Sequence, residues 1–353
     1  LGLRNPYFCF NIDAVKKEEF KKILIIQTAF LGDVILATPL VEKLRKHYPK
    51  AQIDFLVKKG NESLLNNNPI LTNVLVFEKK NKLKNLFKII SSIRANNYDL
   101  LVNLHRFGSS GIISFLSGAK YKIGFDKNPF AFCYTQKVSH TIGDNTHEVT
   151  RNLSLIEALT DNKPERPKLY YSKEDEQKVL PYKNTPYLCI APASVWFTKQ
   201  FPEDQWVELI KKINDRYKIY LLGGPGDSAL CDAIIRKSET KNIESLAGKL
   251  SLLQSCALMK NAVLNYVNDS GPLHLASSVN ANVCAIFCST VPSFGFGPLS
   301  EFSRVVQSDA GLSCRPCNLH GYKACPQGHF MCAKSIQVKQ LLEVLSEVEK
   351  LKA

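Results

Sequence analysis

Short unbroken apolar runs alternate along the chain with longer stretches whose apolar residues recur every three or four positions. KILIIQ (22–27) reads as a strand buried on both faces, and PLVEKLRKHYP (39–49) as the helix after it. QIDFLV (52–57), NVLVF (73–77), a helix over 82–95 and DLLVNL (99–104) continue the pattern. Residues 161–186, DNKPERPKLYYSKEDEQKVLPYKNTP, are rich in proline and charge, and read as a connector with one short helix. The alternation restarts with YLCIA (187–191), a helix near 203–214, KIYLLG (218–223) and a helix over 227–238. AVLNYV (262–267), a helix from 272, NVCAIFC (282–288) and an amphipathic helix over about 335–352 complete it.

Strands alternating with helices predict an α/β protein with parallel sheets, arranged as two Rossmann-like domains facing across a cleft. The expected boundaries are an N-terminal extension over 1–20, a first domain over 21–165 and a linker over 166–186. A second domain follows over 187–335, and a C-terminal helix over 336–353. A length of 353 residues suits two domains. In such sheets ligands bind beyond the carboxyl ends of the strands, so the loops there are the ones to read.

Five of those loops carry unusual residues. In QTAFLGDVILATPL, Asp33 follows Gly32 at the start of a helix, where it either caps the helix or stands in the cleft as a general base. In APASVWFTKQFPEDQW, the small-residue turn around Ser194 suits a phosphate, and Lys199 is either a mobile cation for it or a solvated surface lysine. LLGGPGD ends in Asp227, placed to hold ribose hydroxyls or to cap the next helix. NYVNDSGPLHLASS sets Asp269, Ser270, Gly271, Pro272 and His274 at a helix start, a ready anion site. STVPSFGFGPL (289–299) is small and aromatic and suits a cleft wall.

Composition narrows the classes. The chain is 45% hydrophobic and 22% charged, which excludes disorder, and no apolar run reaches the roughly 20 residues of a membrane span. The opening segment lacks the apolar core of a secretory signal and begins with Leu, so a cytoplasmic location is expected and the natural start may lie upstream. A net charge of +14 favours an anionic partner, or reflects lysine-rich solvation, because the basic residues are spread along the chain. On the acceptor side, Arg106, Lys122 and Arg151 are candidates for acidic sugars or phosphates, with surface solvation or carboxylate pairing as the alternative. The 82–95 helix sets Leu83, Leu86, Phe87, Ile90 and Ile93 at helical spacing beside Lys82, Lys84, Lys88 and Arg94. That pattern is a core-facing stripe with a solvated back, or a basic collar for anionic lipid headgroups.

Taken together these motifs resemble glycosyltransferase family 9, the ADP-heptose:lipopolysaccharide heptosyltransferases, over about 22–345. ILIIQTAFLGDVILATPL, HEVTRNLSLIEAL, APASVWFTKQFP, NDSGPLHLA and PSFGFGPLS occur in the family's order, and CRPCNLHGYKACPQGHFMC resembles the heptosyltransferase II branch. The resemblance implies a GT-B fold and inverting transfer of a heptose from ADP-L-glycero-β-D-manno-heptose to the lipid A-core acceptor. It implies work at the cytoplasmic face of the inner membrane, against its anionic surface. At matching positions Asp33 is the implied base, Lys199 and Ser194 contact the donor phosphates, and Asp269, Ser270, Gly271 and His274 belong to the donor loop. Gln27 stands where many members carry a basic residue, and Val195 replaces a small hydroxyl.

Rival readings are a transferase using another nucleotide-sugar, a nucleotide-dependent oxidoreductase and a nucleic-acid-binding protein. The first strand lacks a following GxGxxG, and the basic residues do not gather around the late cysteines, so no nucleic-acid partner is expected. No Asp-x-Asp motif occurs, and no cofactor is expected for catalysis. Cys314, Cys317, Cys325 and Cys332 give four soft ligands for a structural zinc, with free thiols or two disulfides as alternatives.

Overall fold

The computed structural model describes residues 19–352; most of the 1–20 extension and Cys9 lie outside them. The first half is a parallel sheet of β1 (Lys22–Gln27), β2 (Gln52–Lys58), β3 (Asn73–Phe77), β4 (Leu100–Asn103), β5 (Tyr121–Phe125) and β6 (Gln136–Val138). The second is built from β7 (Tyr187–Ala191), β8 (Lys218–Leu221), β9 (Ile243–Ser245), β10 (Asn265–Asn268), β11 (Val283–Phe287) and β12 (Ser303–Gln307). The strand orders are β3-β2-β1-β4-β5-β6 and β9-β8-β7-β10-β11-β12, so both halves share one topology. This order reverses direction between β1 and β4, and again between β7 and β10, and it leaves a crevice at each reversal.

Helices α1 (Leu31–His47), α2 (Lys82–Asn96), α3 (Gly108–Leu116) and α4 (Glu148–Ser154) belong to the first half. In the connector, α5 (Lys173–Val179) is capped by Ser172, whose hydroxyl accepts from Asp175 N–H at 3.1 Å. The second half carries α6 (Glu203–Ile213), α7 (Ser228–Ser238), α8 (Leu252–Met259), α9 (Gly271–Ser278), α10 (Met331–Lys334) and α11 (Val338–Lys352). The last of these packs on α6 and β12, and the Tyr266 hydroxyl donates to Leu341 O at 3.0 Å.

The helix expected from Pro39 begins at Leu31 instead and keeps Pro39 inside. Proline is a good first helical residue, which is what made it look like a start. All residues from Val34 to Val41 are buried, because α1 lies between its own sheet, α4 and α9 of the other half. One apolar core therefore runs through both halves, joining Val34, Ile35 and Leu40 to Leu273, Leu275 and Ala276. On the other face of the first sheet, Leu86, Ile89, Ile90 and Ile93 of α2 pack with Ile113 of α3. Two members of the expected core stripe, Leu83 and Phe87, face solvent instead. The short strands β5, β6, β9 and β12 had no clear signal, being three to five residues long with mixed polarity.

Candidate active site

The two crevices open onto one cleft of about 700 Å³. The first half lines it with Phe30, Leu31, Gly32, Asp33 and Ser63, the second chiefly with residues of the loops that follow β7, β8, β10 and β11. All five loops singled out in the sequence contribute: 30–33, 193–199, 222–227, 269–275 and Phe296. Ser194, Lys199, Asp227, Asp269, Ser270, Gly271, Pro272 and His274 all stand in this lining.

Asp33 occupies the third position of α1, where it caps the helix and also lines the cleft. One carboxylate oxygen accepts the Phe30 N–H at 3.0 Å, closing the helix start, while the side chain stays half-buried at the cleft wall. Burial raises its pKa from 3.8 to about 6, and the nearby Glu148 carboxylate adds to the rise; the Phe30 amide and Arg106 act against it. A carboxyl poised near neutrality is matched to taking a proton from a hydroxyl.

Across the cleft Lys199 Nζ lies 2.6 Å from Asp269 Oδ2, with both side chains largely buried. Thr290 Oγ1 donates to the same carboxylate oxygen at 2.6 Å. An ammonium has three donors, so this pairing fixes Lys199 in place and leaves two hydrogens for an anion. The loops around it are pinned by Asn268, which the sequence reading passed over. Its amide nitrogen donates to Pro192 O at 2.8 Å, and its Oδ1 accepts Phe201 N–H at 2.9 Å. Ser194 lines the cleft, and its carbonyl accepts from Gln200 Nε2 at 2.7 Å.

His274 is buried and held neutral, its pKa lowered to about 4 by burial, with Lys199 and His147 opposing protonation and Asp269 favouring it. Its Nδ1 has no partner. The ring lies against Gly32 of the other half: a Cβ there would fall 2.7 Å from His274 Cδ2. Gly271 is likewise close to Leu31, whose Cδ2 would lie 2.9 Å from an added Cβ. Asp227 spends one carboxylate oxygen on its own turn, accepting Gly224 N–H at 2.8 Å.

The acceptor-side candidates separate. Arg106, in the loop after β4, acts electrostatically on Asp33, His140 and His320, and makes no ion pair among the described residues. Lys122 pairs in register with Leu101 of β4, short of the carboxyl end of β5 and away from the ligand edge, whereas Arg106 stands at that edge; neither is part of the cleft lining. For Arg151 the structure shows the alternative reading, pairing with a carboxylate. Its guanidinium is buried and occupied, donating to Glu148 Oε2 at 2.9 Å, Phe294 O at 2.7 Å and Thr146 O.

The HEVTRN motif is a clasp between the halves. His147 Nε2 donates to Gly297 O at 3.1 Å while its Nδ1 accepts Val149 N–H at 3.1 Å, and Glu148 N donates to Gly295 O at 2.8 Å. Gly295 has φ +96°, and a Cβ there would meet Thr146 O at 2.3 Å and Arg151 Nη2 at 2.5 Å. Only glycine fits this crossing.

Two further cleft segments escaped the sequence reading. Leu250, Leu252 and Met259 join Leu222 as an apolar end of the cleft; the Ser251–Gln254 capping box marks a helix start there but no ligand. Leu319 and His320 arrive from the cysteine-bearing segment. Tyr322 N donates to Thr198 Oγ1 at 2.8 Å, and Gly321 (φ +83°) approaches the Lys199 side chain, so this segment buttresses the lysine. Among the described residues the cysteines form no disulfide, and Cys314 Sγ lies 3.8 Å from His329 Nε2. Among the described residues no three His, Cys, Asp or Glu side chains converge closely enough to hold a metal ion.

Comparison with known proteins agrees with this architecture. The chain is 31% identical over 277 residues to lipopolysaccharide heptosyltransferase 3 of Escherichia coli K12, spanning 73% of this chain and 80% of that protein. The fold superposes on the glycosyl transferase family 9 protein of Veillonella parvula DSM 2008 with a TM-score of 0.82, at 22% identity over 93% of this chain and 97% of that one. On E. coli ADP-heptose lps heptosyltransferase II the TM-score is 0.77, at 21% identity over 94% and 100%. The family model for glycosyltransferase family 9 (heptosyltransferase) matches residues 86–323. With two such Rossmann-like halves, a carboxyl base candidate on one and a cationic donor loop on the other, the chain is a GT-B enzyme that belongs to glycosyltransferase family 9, the heptosyltransferases.

Proposed function

We propose that this enzyme transfers a heptose from ADP-L-glycero-β-D-manno-heptose to the inner core of lipopolysaccharide, with inversion at the anomeric carbon. The observation that carries the reading is the pairing of Asp33 on one wall of a single cleft with the Lys199–Asp269 pair and His274 on the other. The adenine would lie against Leu222, Leu252 and Met259, with the diphosphate between Ser194, Lys199 and the start of α9. The two free hydrogens of Lys199 and the α9 amides would offset the negative charge that grows on the diphosphate as the glycosidic bond lengthens.

Asp33 would take the proton of the acceptor hydroxyl as its oxygen bonds to the anomeric carbon from the opposite side. The bond from that carbon to the phosphate oxygen breaks in the same step, and ADP leaves with the electron pair. Neutral His274, its Nδ1 unpartnered, would bind oxygen of the donor without adding charge. Arg106, unpaired and electrostatically coupled to Asp33, would meet an acidic group of the acceptor. Because the acceptor is a membrane lipid, the enzyme would work peripherally at the cytoplasmic face of the inner membrane.

The test is turnover: ADP-heptose with a Kdo- or heptose-terminated lipid A core should give ADP and a heptosylated product, with activity surviving a chelator. ADP release with neither acceptor, or with a different ADP-sugar only, would overturn the substrate assignment.

A further inference from the structure

Helix α2 does not bury its whole apolar stripe. Leu83 and Phe87, one turn apart, are 72% and 67% exposed. A second apolar group stands on the same helical layer: Phe115 of α3 is 47% exposed and Phe132 66%, their ring centroids 5.6 Å apart. The Arg94 guanidinium donates to Leu116 O at 3.1 Å and holds the ends of α2 and α3 side by side. Both groups therefore project from the outer side of one layer, where monomers rarely leave large apolar side chains uncovered.

Charge selects the occupant. From residue 79 to 98 the chain holds no acidic residue, and Lys80, Lys84 and Lys88 are exposed. Beside Phe132, Lys122 and Lys137 are near enough to act on the Cys133 thiol. This gives Lys122 a place in the fold that the cleft does not. Large apolar side chains interleaved with lysines match a bilayer interface, where the rings enter the headgroup boundary and the ammoniums meet phosphates. Leu83 and Phe87 also lie toward the cleft mouth, because α2 starts at the carboxyl edge of the sheet, where Arg106 and Phe107 stand.

We infer that the outer face of α2 and α3, carrying Leu83, Phe87, Phe115 and Phe132 among lysines, docks on a bilayer bearing anionic headgroups. The inference rests on the acceptor being a membrane lipid, as proposed above. Co-sedimentation of the full chain with phosphatidylethanolamine–phosphatidylglycerol vesicles, and with phosphatidylcholine vesicles, tests it. The wild type should partition to the anionic vesicles and be released by salt. Leu83→Ser/Phe87→Ser should weaken that partition about tenfold or more. Lys84→Ala/Lys88→Ala should weaken it about twenty-five-fold, at about fivefold per lysine. Thermal stability and ADP binding should stay at wild-type values in both, since none of the four side chains is buried or in the cleft lining.

Equal binding to both vesicle types, or unchanged binding in both variants, overturns the inference. A wild-type dimer that becomes a monomer in Leu83→Ser/Phe87→Ser also overturns it, by assigning the face to a second copy of the chain. Vesicle binding does not depend on the donor, so a wrong substrate assignment would show as absent turnover with docking intact.

Discussion

Replacing Glu148 by Gln should change the pH at which the enzyme switches on. Asp33 is raised to about 6 first by burial and then by the Glu148 carboxylate. As a base it works only when ionised, so wild-type kcat/KM should be about half its plateau at pH 6 and about a tenth of it at pH 5. A like charge within a few ångströms shifts a carboxyl by about one unit or more. Here Arg151, 2.9 Å from Glu148, already offsets part of that charge, so a fall of about one unit is expected in Glu148→Gln. The ratio of kcat/KM at pH 5 to that at pH 8 should then rise about fivefold, while the plateau drops a few-fold because the base is weaker. The ratio is internal to each protein and is unaffected by a loss of folded material. An unchanged acid limb in Glu148→Gln, or a wild-type rate flat from pH 5 to 8, would refute the assignment of Asp33 as base. The same shift has a stability sign. The folded pKa lies above the unfolded one, so ionised Asp33 costs the fold up to about 3 kcal/mol above pH 6, a cost that shrinks as pH falls through about 4 and vanishes below about pH 3, where both states are protonated. Asp33→Asn keeps an oxygen for the Phe30 N–H. It should raise stability at pH 7.5 by up to that amount, lose the gain below about pH 3, and cut turnover by about 10²–10⁴-fold.

Three other outcomes follow from particular contacts. Lys199→Ala should weaken ADP binding and also destabilise the fold by about 3–5 kcal/mol, because it strands the buried Asp269 carboxylate. Lys199→Ala/Asp269→Asn should recover stability but not ADP affinity, and calorimetric recovery of affinity in the double variant would exclude Lys199 as a phosphate ligand. Gly32→Ala puts a methyl 2.7 Å from the His274 ring and should lower kcat/KM about tenfold or more with a cooperative thermal transition retained; a wild-type rate would show that the two halves need not meet there. We propose that the 314–332 segment takes up a structural zinc by drawing its four thiols together from the arrangement described here. Elemental analysis after purification without added metal should find about one equivalent, and less than about a tenth of an equivalent of zinc or iron refutes it.

Features that depend on one strand and the loop behind it were open to a reading of the chain. β1, β7 and β11 are buried along nearly their whole length, so their residues had to be apolar at successive positions, and that run is visible directly. The parallel topology then fixes which end of each strand faces the ligand, and so pointed to Ser194, Lys199, Asp269 and His274 without any structure. Charge and spacing alone misled where the answer depended on depth within an element. Lys122 and Arg106 look alike in sequence, yet one lies short of its strand's end and the other in the loop beyond. Leu83 and Leu86 share a periodic stripe, but the stripe is wider than the groove that α2 fills, so its edge is left in water.

What could not be read from a single stretch is the set of contacts made between the halves. Glu148 sits far from Asp33 along the chain and reaches it only because α4 packs on α1. Its position is set in turn by Gly295, on the other half, whose carbonyl accepts the Glu148 amide and whose missing Cβ admits Arg151. Gly32 and His274 show the same dependence: neither residue signals its partner, and the space for the ring exists only once both sheets are folded and docked. The HEVTRN helix, whose Arg151 was a candidate for the acceptor, therefore works at one remove. It clasps the second half against α1, and in doing so places a carboxylate beside the candidate base. The pKa of Asp33 is in this sense a property of the docked pair of domains. A change that loosens the clasp at His147 or Gly295 should lower that pKa even though neither touches the carboxyl group, because water entering the gap removes the desolvation that raised it.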